Sequence, residues 1–198
     1  MGYPASRVSC FIRRCVWLSD ASPLSCKKNP NIDTMKNRIL TLLLGLLLWA
    51  PVVSAQLPSV QLKDINGRTV NTSKISNNGK PVIISFFATW CKPCLRELKA
   101  IAEVYPDWQD ETGVKMYIVS IDDAQNSSKV RPLVNAEGWE YETLLDPNSE
   151  FFKAMGLQVV PHVLVLDGQG KVVMSHSGYT DGSESEIIET IRNLGKTK

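Results

Sequence analysis

Residues 79–108, "GKPVIISFFATWCKPCLRELKAIAEVYPDW", change hydrophobic period once, and that change limits the fold more than any other feature of the chain. Gly79 to Pro81 punctuate the start, and Val82 to Phe87 is then nearly continuous apolar sequence. Such a run suits a strand buried on both faces, as in a parallel sheet. From Pro93 onward Leu95, Leu98, Ile101, Ala102, Tyr105 and Trp108 recur at three- and four-residue steps, the period of an amphipathic helix. "VKMYIVSI" (114–121) reads as the next strand. Strand, helix, strand in that order implies a right-handed parallel crossover. Two cysteines, Cys91 and Cys94, sit at the junction where strand gives way to helix.

The flanking segments extend this unit to one α/β domain. "VQL" and "RTVN" flank Asp64-Ile65-Asn66-Gly67, and Asn-Gly is a strong hairpin signal, so a short N-terminal hairpin is expected. Ser127 to Glu137 reads as a helix with Pro132 in its first turn. "YETLLD" reads as a short strand and Ser149 to Met155 as a short helix. Val163 to Leu166 is expected to pair back through Gly168-Gln169-Gly170 onto Lys171 to Ser175. Ser183 to Leu194 closes with a helix whose apolar stripe is Ile187, Ile188, Ile191 and Leu194. A βαβ half thus leads into a ββα half, with an extra helix and strand between them.

The N-terminal quarter has a different character. "MKNRILTLLLGLLLWAPVVSAQ" begins at Met35 with basic Lys36 and Arg38, continues with an apolar core from Ile39 to Trp49, and breaks at Pro51. Small residues Val53-Ser54-Ala55 precede Gln56, which completes the three-part layout of a secretory signal peptide over residues 35–55. The apolar run is short for a membrane span, which needs about 18 or more apolar residues. An uncleaved N-terminal anchor is the alternative. Gln56 rather than Cys after the expected cut argues against a lipoprotein anchor. Signal peptides start close to the chain's beginning, so residues 1–34 are expected to be an over-extended reading frame, outside the folded domain of residues 56–198.

That cut changes what the cysteines mean. Of five cysteines, Cys10, Cys15 and Cys26 lie upstream of it, leaving Cys91 and Cys94. A disulfide scaffold keeps several pairs, and one pair this close in sequence closes too small a loop to staple much. Residues 56–198 carry 15 Lys+Arg and 18 Asp+Glu, a net charge of −3. No basic patch points to nucleic acid.

At the start of a helix, unpaired N–H groups and the positive end of the helix dipole favour thiolate over thiol. Cys91 is placed to feel both, and a cysteine so placed is the nucleophile of disulfide exchange. Cys94, one turn on, is placed to attack the resulting mixed disulfide. Pro93 is tolerated in the first turn, where its missing N–H has no partner to lose. A structural zinc needs four ligands, and beyond this pair there are only His162 and His176, far along the chain. A peroxidase active site of the pattern P-x-x-x-[ST]-x-x-C fits neither register. Counting back from Cys94 gives Phe87 and Cys91, and from Cys91 gives Ile84 and Ala88.

"FFATWCKPC" resembles the active-site segment of thioredoxin-fold proteins, with Trp90 before the first cysteine and Pro93 before the second. "VVPHVLVLDGQGKVV" resembles the family's second landmark, a cis proline that opens the next strand beside the disulfide. The resemblance gives Pro161 that role and has Val160 offer its backbone to an extended substrate segment. Trp90 and Pro93 complete the implied substrate face. The secretory signal and the insertion of about Ser127 to Asp146 make the chain most similar to the extracytoplasmic TlpA/ResA branch. The implied fold is α/β and thioredoxin-like: a central mixed sheet flanked by helices, with an N-terminal hairpin and a helix–strand insertion.

Two positions depart from the wider family. Cytoplasmic thioredoxins place a buried Asp six residues before the first cysteine, where this chain has Ser85. The TlpA/ResA branch often has a Glu six residues after it, and here that is Glu97. Glu97 can share a helix face with Cys94 and move its proton, or be an ordinary solvated helix residue. Val160 stands where the branch commonly has Thr. Taken together, the resemblance implies an exported, periplasmic or otherwise extracytoplasmic monomer. It would exchange thiols and disulfides with protein substrates, as a reductant, using the Cys91–Cys94 pair and no other cofactor or metal. A membrane redox partner would recharge the pair. Reduction for cytochrome c maturation is a narrower form of this expectation, and a non-catalytic copper-binding module is the alternative.

Overall fold

The computed structural model describes residues 56–196, so the expected signal peptide and the residues before it lie outside the described region. The hairpin forms as β1 (Gln61–Asp64) and β2 (Thr69–Asn71), paired antiparallel. Asp64 closes its turn by accepting the Asn66 and Arg68 backbone N–H groups and the Arg68 Nε–H. β3 (Val82–Phe87), α1 (Lys92–Thr112) and β4 (Lys115–Ser120) are the expected crossover, with β3 and β4 parallel. A short 3-10 turn at Ser127–Lys129 leads into α2 (Val130–Glu137), with Pro132 in its first turn. β5 (Glu142–Leu145), α3 (Glu150–Ala154), β6 (His162–Leu166), β7 (Val172–Ser177) and α4 (Glu184–Lys196) follow.

The seven strands form one mixed sheet in the order β2-β1-β5-β4-β3-β6-β7. β5 runs parallel to β4, and β1 docks antiparallel on the far side of β5, which ties the N-terminal hairpin to the sheet. β3 lies centrally between β4 and β6, and all six of its residues are buried. Its alternate residues feed two cores. Ile83 and Phe87 join Leu98, Ile101, Tyr105 and Trp108 of α1 and Ile187, Ile188 and Ile191 of α4. Val82, Ile84 and Phe86 face the other way, onto Phe151 and Phe152 of α3. Each such large side chain contributes roughly 1.5–3 kcal/mol by leaving water.

The helix that carries the cysteines runs on through Pro106 and ends at Gly113 in a left-handed C-cap with φ 67°. Pro106 has no N–H for the Ala102 carbonyl, so α1 continues by packing rather than by an unbroken ladder. At the opposite end of the sheet from the cysteines, the β6–β7 turn presses on the loop before β3. A Cβ on Gly168 would meet the Gly79 carbonyl oxygen at 2.1 Å, so only glycine fits there. With β3 fixed at this end, its C-terminal end delivers Ala88 to Cys91 to the start of α1.

Candidate active site

Cys91 and Cys94 form a disulfide with Cα atoms 5.3 Å apart. Cys91 is the N-cap of α1, and its Sγ accepts the Cys94 backbone N–H at 3.3 Å. The sulfur that would carry charge in the reduced protein therefore already sits on a free helix N–H, the interaction that stabilises a thiolate. Cys94 is fully buried, and Cys91 is 6% exposed, so Cys91 is the residue of the pair with a solvent-facing part. The turn that carries them is closed by the Cys91 N–H donating to the Ala88 carbonyl at 3.0 Å.

Glu97 follows Cys94 by three residues on α1. Only 2% of it is exposed, which removes the solvated-helix alternative. Its helical position places it on the buried stripe with Cys94, Leu98 and Ile101 rather than on the outer face. The Ser85 hydroxyl donates to Glu97 Oε2 at 3.2 Å. Burial pushes the Glu97 carboxyl up to about 7, and the Ser85 hydrogen bond opposes that rise. A buried acid poised near neutrality is suited to taking and returning a proton. Ser85, noted in the sequence as the position of an Asp in other thioredoxins, thus touches Glu97 directly.

Of the other predicted residues, Trp90 and Pro93 adjoin the cysteines in the chain, and Val160 and Pro161 lie in the loop before β6. Trp90, next to Cys91 in the chain, is 65% exposed and presents an apolar surface to solvent. Pro93 is in the first turn of α1. The Val160–Pro161 peptide is cis, and Val160 packs against the cluster that contains both cysteines. The Pro161 carbonyl accepts the Gly178 N–H at 2.9 Å, tying this loop to the end of β7. Arg96, on α1, lies over the Tyr179 ring at 5.9 Å in that same region. His162 is half-buried, and its Nε2 shares a hydrogen bond with Ser175 Oγ at 2.8 Å. Burial, then His176, holds its imidazole below the usual range. His176 lies near the end of β7 with Nδ1 3.7 Å from Glu186. Trp108 and Trp139 are buried, as core residues should be.

One group near the site carried no sequence expectation. Asp122, just past β4, is buried and accepts hydrogen bonds from both the backbone and the hydroxyl of Thr89. An acid directly after the apolar run "MYIVSI", at the C-terminal end of a parallel strand, was the available signal.

Residues 53–175 match the AhpC/TSA family. The chain belongs to that family. Among relatives, a protein named thiol-disulfide oxidoreductase ResA of Bacillus thuringiensis (strain Al Hakam) is 28% identical over 121 residues. That match covers 61% of this chain and 67% of the relative. The ResA of Bacillus subtilis (strain 168) is 27% identical over 121 residues, covering 61% of this chain and 65% of the relative. Among solved structures, a thioredoxin-like protein of Porphyromonas gingivalis is 60% identical with a TM-score of 0.65, covering 72% of this chain and 94% of that one. StoA from Bacillus subtilis shares the fold at TM-score 0.55 and 23% identity, covering 68% of this chain and 98% of that one. The sheet and helices of this AhpC/TSA member are thioredoxin-like, with the disulfide at the strand–helix junction.

Proposed function

We propose that this chain is an exported thiol–disulfide oxidoreductase that reduces disulfides in protein substrates. The observation that carries the reading is the Cys91–Cys94 disulfide at a helix N-terminus, with Cys91 Sγ on the Cys94 N–H and a buried carboxyl three residues further along the same helix. In the reduced protein, the Cys91 thiolate attacks one sulfur of a substrate disulfide. The substrate S–S bond breaks, a mixed disulfide forms, and the departing substrate sulfur takes up a proton. Glu97 then accepts the proton of Cys94, whose thiolate attacks the Cys91 sulfur and breaks the mixed disulfide; Glu97 returns that proton to the departing substrate sulfur, which leaves as the second thiol. Two electrons pass from the cysteine pair to the substrate, and the pair ends oxidised.

Trp90, Pro93 and the Val160–Pro161 loop form the face on which the substrate segment lies. Val160 offers its backbone to that segment in strand-like hydrogen bonds. The oxidised pair must be recharged, and a membrane reductase outside the cytoplasm is the partner that an exported protein of this kind needs. The relatives named thiol-disulfide oxidoreductase support the reaction class. The signal-like segment of residues 35–55 supports export.

Reduction of insulin by the dithiol-loaded protein tests the reaction, with Cys91→Ser as the inactive control. An inactive parent protein that binds copper(I) tightly would replace this reading with the copper-binding one. The direction is tested by the reduction potential of the pair. A value nearer about −270 mV than about −120 mV supports a reductant, and one at the oxidising end contradicts it.

A further inference from the structure

We propose that Asp122 is a positioning residue of the disulfide centre, holding the Thr89–Trp90–Cys91 turn in register with the Val160–Pro161 loop for attack on protein disulfides. The inference rests on the oxidoreductase reading above and adds to it a residue that reaches neither cysteine in sequence.

Asp122 lies two residues beyond the end of β4, and its side chain is only 1% exposed. Among the described residues no salt bridge reaches it; its hydrogen bonds come from neutral donors. Thr89 N–H donates to Oδ2 at 2.8 Å, and the Thr89 hydroxyl donates to Oδ1 at 2.7 Å. Both carboxylate oxygens therefore hold one residue, by its main chain and its side chain together. The carboxylate is itself braced: the Ser120 hydroxyl donates to Oδ2 at 2.8 Å, and the Asp122 N–H donates to Ser120 Oγ at 3.1 Å. Ser120 is the last residue of β4 and lies opposite Phe87, the last residue of β3. The neighbouring Ile121 N–H donates to the Phe87 carbonyl at 2.9 Å. The clamp thus runs from the rigid centre of the sheet to the turn.

A buried anion without a counter-charge is unfavourable unless its hydrogen bonds are good. Neutral residues close turns as well, but bonds to a charged acceptor are about twice as strong as neutral ones. What they stiffen here is the turn that carries Trp90. Trp90 is 65% exposed, so little besides the turn fixes it. Its other tie is the Cys91 N–H to the Ala88 carbonyl at 3.0 Å. A small disulfide needs only access to sulfur. A protein disulfide must meet Trp90, Cys91 and the Val160 backbone at once, and misplacement between such groups is penalised steeply.

The test compares second-order rates of the reduced, full-length protein with insulin and with hydroxyethyl disulfide, for wild type, Asp122→Ala, Thr89→Val and Thr89→Ser. Loss of the clamp is expected to lower the insulin rate relative to the small-disulfide rate by about tenfold in Asp122→Ala, the scale of one charge-assisted hydrogen bond. Thr89→Val keeps the side-chain shape and removes only the hydroxyl bond. It should lower the ratio in the same direction by less, and Thr89→Ser should recover most of that loss. A role in stability alone leaves the ratio unchanged below the melting range. An unchanged ratio overturns the inference, as does an equal fall with both substrates, or a fall in Asp122→Ala that Thr89→Val does not share. Should Asp122→Ala fail to fold, the two Thr89 variants decide by themselves. A wild-type protein that reduces neither substrate sinks the oxidoreductase reading itself, whereas an active wild type with an unmoved ratio sinks only the role of Asp122.

Discussion

Two buried carboxyls flank the cysteine pair, and they are held in opposite ways. Asp122 lies behind the turn that precedes Cys91 and accepts three hydrogen bonds from Thr89 and Ser120. Glu97 lies behind Cys94 and accepts one, from Ser85. Both are at most 2% exposed, so burial alone does not separate their roles. The number of donors does. A carboxylate whose two oxygens are both held by donors acts as a bracket. One that is nearly bare can gain or lose a proton close to neutrality.

The largest expected effect that tests this contrast is on stability. The Glu97 carboxyl rises from an ordinary 4.5 to about 7 in the folded protein, because burial disfavours its charge. The protonated form is therefore the one that folding favours. Its contribution is complete below the unfolded value, is lost as pH rises through the folded value, and is constant above it. The oxidised protein should lose on the order of 3 kcal/mol across that window from this group. Denaturant titrations across the window should show the loss in wild type and not in Glu97→Gln. An equal loss in the variant would assign it to another group.

Next in size is the resolving step. In Glu97→Gln, release of a mixed disulfide at neutral pH should slow by about 100-fold, the lower end of general acid–base contributions. The rate should also lose its ionisation near 7. Rapid-mixing kinetics across pH would show both, and an unchanged profile would remove Glu97 from the mechanism. Ser85→Ala should be smaller. Without its hydroxyl, the Glu97 midpoint should rise by about one unit or less, the scale of one hydrogen bond. Ser85→Ala in the Glu97→Gln background should then leave the profile flat, which separates a tuning role from a packing defect. Lys92→Ala should change the rate least, by less than about twofold, because its ammonium is exposed and screened.

Much of this arrangement is readable before any coordinates. The single change of period at Cys91 gives β3, α1 and β4, because a doubly buried strand and an amphipathic helix have different repeats. Helix ends agree with expectation to within a residue or two at α3 and α4, the latter read as 183–194 and found as Glu184–Lys196, whereas α2 starts three residues late because its first expected turn is 3-10. The position of the hairpin is another matter. β1 pairs with β5, far along the chain, and no local pattern announces that partner. Glu97 carried a signal that was balanced against ordinary solvation. Its place in the stripe of Cys94, Leu98 and Ile101 decides for burial once the helix is packed. Asp122 was hidden by its neighbour. Asp122-Asp123 reads as a polar loop, yet one is buried against Thr89, while the other is exposed and caps the next turn through Gln125 and Asn126. Which of two adjacent acids turns inward depends on how the chain leaves the sheet, and that is a tertiary fact.

The central claim is that Cys91 attacks and Cys94 resolves. Trapping tests it most directly: each single Cys→Ser variant is reduced, mixed with a disulfide-bonded protein and quenched, and the adduct is read by intact mass. Cys94→Ser should accumulate a mixed disulfide through Cys91, and Cys91→Ser should accumulate none. An adduct through Cys94, or none in either variant, would contradict the account.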